Sequence, residues 1–245
     1  MSGPRDEVLR AGAVVGTSVK DAYGYLGTAV LVSLAWFGWF AICALLLSPI
    51  VKSLILMVPA IVVLAAPPQG AAFHVMSLIV RGRDVSVRDF LEGLRRFALR
   101  SLAIQAAHVG LLAVIVIDII WFVSRPGAVF KLIGGLWLYA LLFLVMMTPY
   151  LLAIMVQQDT GFRKVFKRAA LLALANPFYS LIVMVFEAAV TVLCVVIAPA
   201  LCLMYMGLIA LTRVRATRVL FDKYGIADDE RLSEEDPPDR EEFPM

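Results

Sequence analysis

Four long stretches of this chain are nearly free of charge: residues 25–50, 101–123, 132–156 and 178–212. A run of 18 or more apolar residues is long enough to cross the hydrocarbon core of a bilayer as a helix. In lipid the backbone must satisfy its own hydrogen bonds, which a helix does within one segment. Four such runs are far more than a soluble core of this size needs. The 245 residues are 62% hydrophobic and 17% charged, against about 25% charged in ordinary soluble domains. The expected fold is therefore all-α, a polytopic transmembrane helical bundle. The first run begins near residue 24, is too long for a signal-peptide core and lacks a small-x-small cleavage site, so it is expected to be retained.

Charge sets the orientation. Arg5, Arg10 and Lys20 precede the first run. Arg81, Arg83, Arg88, Arg95, Arg96 and Arg100 form a second group. Arg163, Lys164, Lys167 and Arg168 form a third, and Arg213, Arg215, Arg218 and Lys223 a fourth. Only Lys52, Arg125 and Lys131 fall in the alternate loops. With Arg231 and Arg240 of the tail, 19 of the 22 basic residues lie on one side. Positive loops stay in the cytoplasm, which predicts both termini inside and an even number of crossings. About six spans follow, at 24–48, 53–80, 101–123, 130–157, 177–197 and 199–214, if the 178–212 run crosses twice around Pro199. A re-entrant hairpin over 177–214 is the alternative. Residues 1–225 form one membrane domain. Residues 226–245 form an acidic tail, with nine acidic side chains after Ile226, and are expected to be disordered.

Three similar units are expected, at 7–80, 85–158 and 161–224. Each has a basic amphipathic helix, a span, and a second span containing proline: Pro67 and Pro68, then Pro149, then Pro199. A period of about 75 residues implies stacked or rotationally related hairpins.

The best-defined amphipathic helix is 86–100. Ser86 and Asp89 have capping-box spacing. Val87, Phe90, Leu91, Leu94, Phe97 and Ala98 form one face, with Arg88, Glu92, Arg95 and Arg96 on the other. This helix, with Arg100, and its counterpart carrying Arg163, Lys164, Lys167 and Arg168 suit anchoring at lipid headgroups or docking of a cytoplasmic partner. The lipid bilayer is the expected partner. No nucleic acid is expected, and the oligomeric state is left open.

Ionisable residues inside a span are costly and so are candidate sites. Glu187 lies about 15 Å into the fifth span. His108 and Gln105 lie on the third span one turn apart, and Asp118 lies near its outer end beside Trp121. Glu187 is expected either to pair with His108 or to stay neutral and hydrogen-bonded. Gln69 and His74 follow the Pro67–Pro68 break, where carbonyls lack partners. Cys43, Cys194 and Cys202 are read as small apolar filler. No metal spacing, zinc-protease helix or nucleophile elbow occurs. No catalytic residue, metal or cofactor is expected, and no enzyme.

Residues 66–76 (APPQGAAFHVM) and 81–96 (RGRDVSVRDFLEGLRR) resemble the signature of the YesL-like family of bacterial membrane proteins. Those members have a proline with small residues ending the second span, an arginine-glycine turn, and then an Asp-Phe-x-x-Gly amphipathic helix. The likeness covers about 35 residues and excludes the acidic tail. It implies a multi-pass protein of the bacterial inner membrane. It also implies a non-enzymatic accessory or scaffold for carbohydrate uptake, with a sugar importer as membrane partner. The alternative is a small secondary transporter or channel built around Glu187.

Overall fold

The computed structural model describes residues 4–49, 52–197 and 203–226. Every regular element among them is an α-helix: α1 (Pro4–Gly24), α2 (Leu26–Leu47), α3 (Leu54–Leu64), α4 (Ala66–Val80), α5 (Val87–Ser124), α6 (Ala128–Gln158), α7 (Phe162–Ala175), α8 (Pro177–Val196) and α9 (Tyr205–Tyr224). The expected turn at Pro199, the cysteine Cys202 and the tail from residue 227 lie outside the described residues.

Four helices, α2, α5, α6 and α8, are long and apolar enough to cross a membrane, with mean hydropathy of 2.2 to 2.4 over their best windows. Their outward faces are apolar. Leu45 is 73% exposed, Leu132 75% and Val196 77%. Such surface is unfavourable in water and favourable in hydrocarbon.

Two expected elements differ from the sequence reading. The stretch 53–80 is two helices, broken at Ala65. Pro67 and Pro68 occupy the first turn of α4, where proline costs no hydrogen bond but bars continuation of the preceding helix. With 11 and 15 residues, α3 and α4 are about 16 and 22 Å long, each short of the roughly 30 Å core. The amphipathic helix at 86–100 is not separate from the third span. Both belong to α5, 38 residues without interruption and about 57 Å long. Its capping box at Ser86 and Asp89 is present, with the Ser86 N–H donating to Asp89 Oδ2 at 2.6 Å.

The core is a triad. α4, α6 and α9 touch one another and bury Phe73, Met76, Tyr150, Ile154, Met155, Leu211 and Leu220. Three apolar helices lie in the grooves of that triad. α2 packs on α9 and α4, α5 on α4 and α6, and α8 on α6 and α9. α1 crosses α9 and α8, and α7 packs on α6. Pro149 sits inside α6 without ending it, unlike Pro67 and Pro68.

One end of the bundle is tied by polar bonds. Asp21 of α1 pairs with Arg215 of α9. Arg218 donates to the Val80 carbonyl at the end of α4, at 3.4 Å. Arg96 and Arg100 of α5 pair with Asp159 after α6. Lys223 and Tyr224 reach Asn176, ahead of α8.

Candidate functional site

The α8–α9 hairpin carries a polar seam through an apolar interior. Asn176 stands ahead of α8, whose first residue is proline, where no N–H is missed. From that end, Lys223 Nζ donates to Asn176 Oδ1 at 2.5 Å, and Tyr179 Oη donates to the Ala216 carbonyl at 3.1 Å. Further along, Glu187 meets Arg213, and Thr191 Oγ1 lies 3.3 Å from Tyr205 Oη. Numbering rises along α8 as it falls along α9, so the helices are antiparallel.

Glu187 and Arg213 form a bidentate pair. Arg213 Nε donates to Oε1 at 2.8 Å, and Nη2 donates to Oε2 at 2.8 Å. The side chains are 10% and 19% exposed. The planar guanidinium matches the carboxylate plane, which adds directionality to charge attraction. Glu187 is about 15 Å along α8, and Arg213 about 16 Å from the far end of α9. Each partner is thus near the middle of its helix.

The partner is neither of the two expected for Glu187, which were His108 or a hydroxyl or carbonyl beside a neutral carboxyl. His108 is buried on α5, and its Nε2 lies 3.1 Å from Thr148 Oγ1 of α6. By position in the sequence Arg213 belongs with the basic residues following the last apolar run. In the structure α9 continues as helix for eleven residues past it, which brings its guanidinium inside the bundle. The sequence carries a partial signal: a carboxylate and an arginine stand 26 residues apart, a separation that brings them to the same level when their two segments pack antiparallel. Gln105 and Asp118 are half-buried on α5, and neither forms a hydrogen bond or ion pair among the described residues.

Sequence reasoning also missed residues that lock the core. Tyr150, wholly buried on α6, meets Ser180 of α8 at 2.7 Å. Gln157 donates to the Val214 carbonyl of α9 at 2.7 Å. Nothing in an apolar run marks such a tyrosine or glutamine before the neighbouring helix is known.

The basic residues divide into two sets. Arg96, Arg100 and Arg168 bond within the bundle, the first two to Asp159 and the third to Gln158. Arg88 and Arg95 on α5, and Arg163, Lys164 and Lys167 on α7, are exposed.

Asp159 ends α6 with φ at 43°, a left-handed conformation that aspartate tolerates better than most residues. Burial would raise its carboxyl. The hydrogen bond from Arg96 and the charges of both arginines outweigh burial and hold it below the ordinary carboxylate value. A depressed carboxylate stabilises the fold above its unfolded value of about 3.9 and loses that contribution as pH falls through the folded value. Arg100 is half exposed, so screening limits the pair to about 1 kcal/mol. Asp159→Asn should therefore lower stability by about 1 kcal/mol at neutral pH, with the gap closing on acidification below about pH 4. Thermal unfolding in detergent across that range measures it. A gap that persists unchanged in acid would mean the contact is not ionic.

Comparison with known proteins finds no family model, curated protein or solved structure that matches this chain.

Proposed function

We propose that this protein is a non-enzymatic membrane scaffold, one that docks another membrane protein through the exposed basic faces of α5 and α7. The observation that carries the reading is the bidentate closure of Glu187 by Arg213. Both carboxylate oxygens accept from one guanidinium, so the deep carboxylate is engaged on both oxygens and ties two helices together. A carrier that used Glu187 to move protons or cations would have to break this pair in each cycle. Arg88, Arg95, Arg163, Lys164 and Lys167 then offer the charge a partner would read. The resemblance to YesL-like proteins makes a component of carbohydrate uptake the expected partner, with the bacterial inner membrane as its location.

The scaffold crosses six times with both termini in the cytoplasm. α3 and α4 together make the second crossing as a broken helix, and α9 completes the sixth. Support comes from the polar ties among Asp21, Val80, Asp159 and Asn176, which gather the ends expected to be cytoplasmic. The three-unit repeat is supported by cyclic packing. Each of α2, α5 and α8 fits between the core helix of its own unit and that of the unit before it.

Cysteine probes placed one at a time at Lys52, Pro126, Asp84, Gly161 and Ala227, in a chain freed of its own cysteines, test the crossings. External reagent should label the first two and spare the rest. External labelling at Ala227 would remove the six-span arrangement.

Docking is tested by co-purification in mild detergent. A stoichiometric carbohydrate-uptake component should accompany the wild type. It should be lost when Arg95, Arg163, Lys164 and Lys167 are all replaced by glutamate. The purified protein in liposomes should move neither sugar nor protons. Flux that Glu187→Gln abolishes in a folded protein would favour a transporter.

A further inference from the structure

At the tied end of the bundle, α1, α9 and the last residue of α4 line an open cleft of about 320 Å³. Arg10 of α1 and Arg215 and Arg218 of α9 supply its charge, and Asp222 stands at its rim. Ala13, Val14, Val80 and Val219 supply apolar wall.

The charges do not cancel. Arg215 spends its Nη2 on Asp21, and its Nε is buried without a hydrogen-bond partner. A buried donor left unpaired is costly. Arg215 and Arg218 are three residues apart on one helix, where like charges repel. Among the described residues Arg218 makes one hydrogen bond, to the Val80 carbonyl at 3.4 Å. Arg10 is exposed. The lining itself carries three arginines against the one carboxylate of Asp222. A phosphodiester carries one negative charge, and its oxygens suit guanidinium donors. The apolar wall beside the arginines also matches the boundary between headgroup and acyl chain.

We propose that this cleft is a binding site for the headgroup of an anionic phospholipid, with the phosphate held by Arg10, Arg215 and Arg218 and the glycerol end against Val14, Val80 and Val219. The site rests on the reading that this end of the bundle lies at a membrane surface. It is distinct from the docking faces of α5 and α7.

Native mass spectrometry of the full chain in mild detergent tests it, with phosphatidylglycerol, phosphatidylcholine and inorganic phosphate as probes. One phosphatidylglycerol should bind tightly, and phosphatidylcholine should not. Arg10→Gln, which removes an exposed side chain and leaves the core intact, should weaken the adduct about fivefold, and the double variant R10Q/R218Q roughly thirtyfold. R163Q/K164Q should leave it unchanged. Equal binding of the two lipids, or equal loss in R163Q/K164Q, overturns the site. Inorganic phosphate that binds as tightly as the lipid, with the same dependence on Arg10, assigns the cleft to a free anion and overturns the lipid assignment. A chain that stays monodisperse without any detergent instead overturns the membrane reading beneath it.

Discussion

Gly207→Leu should destabilise the bundle by about 3 kcal/mol or more. Gly207 lies in the first turn of α9 against α2. A Cβ at this position would stand 2.7 Å from the Ala29 carbonyl oxygen and 2.8 Å from both Ala29 Cα and Cβ. Two of those atoms are backbone, so relief requires α2 to move away. That movement breaks a short relay. Gly207 N–H donates to Ser33 Oγ at 2.9 Å, and Ser33 Oγ donates to the Ala29 carbonyl at 2.7 Å. Close backbone approach at small residues is how helices gain packing where lipid removes the hydrophobic drive between them. Gly207→Ala should show the same effect at smaller size. Gly135→Leu is the control. A Cβ there meets nothing within 4 Å, and leucine is the better helix former by somewhat under 1 kcal/mol. Thermal unfolding in detergent reads all three. A Gly207→Leu protein melting with the wild type would mean α2 is not held against α9.

The long apolar helices were legible because length and absence of charge suffice for them. The expected 24–48, 130–157 and 177–197 lie close to Leu26–Leu47, Ala128–Gln158 and Pro177–Val196. Chain breaks were harder. Nothing between Leu94 and Val109 is glycine or proline, so the amphipathic stretch of α5 has no reason to stop before the apolar one. A change in character along the chain is not a change in backbone. Conversely, the proline pair at 67 and 68 interrupts a segment whose hydropathy alone reads as continuous. Charge was hardest, because the same arginine type serves two ends. Arg213, Arg215 and Arg218 are one cluster by position, yet the first closes a pair inside the bundle while the others face α1 and the end of α4. Which role each takes depends on the rotation of α9, and only its neighbours set that rotation.

Removing one partner of the Glu187–Arg213 pair should be far worse than removing both. Glu187→Ala leaves a guanidinium in an apolar interior, and Arg213→Ala leaves a carboxylate there. An unpaired charge near the middle of a membrane helix costs about 3 kcal/mol on insertion scales, and breaking buried pairs costs a similar amount. Glu187→Gln belongs with the single losses, since a neutral amide keeps the shape but leaves Arg213 uncompensated. The double variant Glu187→Leu with Arg213→Met has no charge to desolvate and similar volume. It should unfold within about 1 kcal/mol of the wild type, because a buried pair gains little over a well-packed apolar replacement. Thermal unfolding in detergent of the wild type, Glu187→Leu, Arg213→Met and the double variant closes the cycle and isolates the coupling. The same four proteins separate structure from transport. For a scaffold, the double variant recovers both stability and partner capture. For a carrier, it recovers stability alone, because no ionisable group is left to exchange a proton or cation. A folded, partner-binding Glu187→Gln with wild-type stability would refute the pair as a structural lock. Arg213 would then be at home without its carboxylate, which the apolar surroundings of α8 and α9 do not allow.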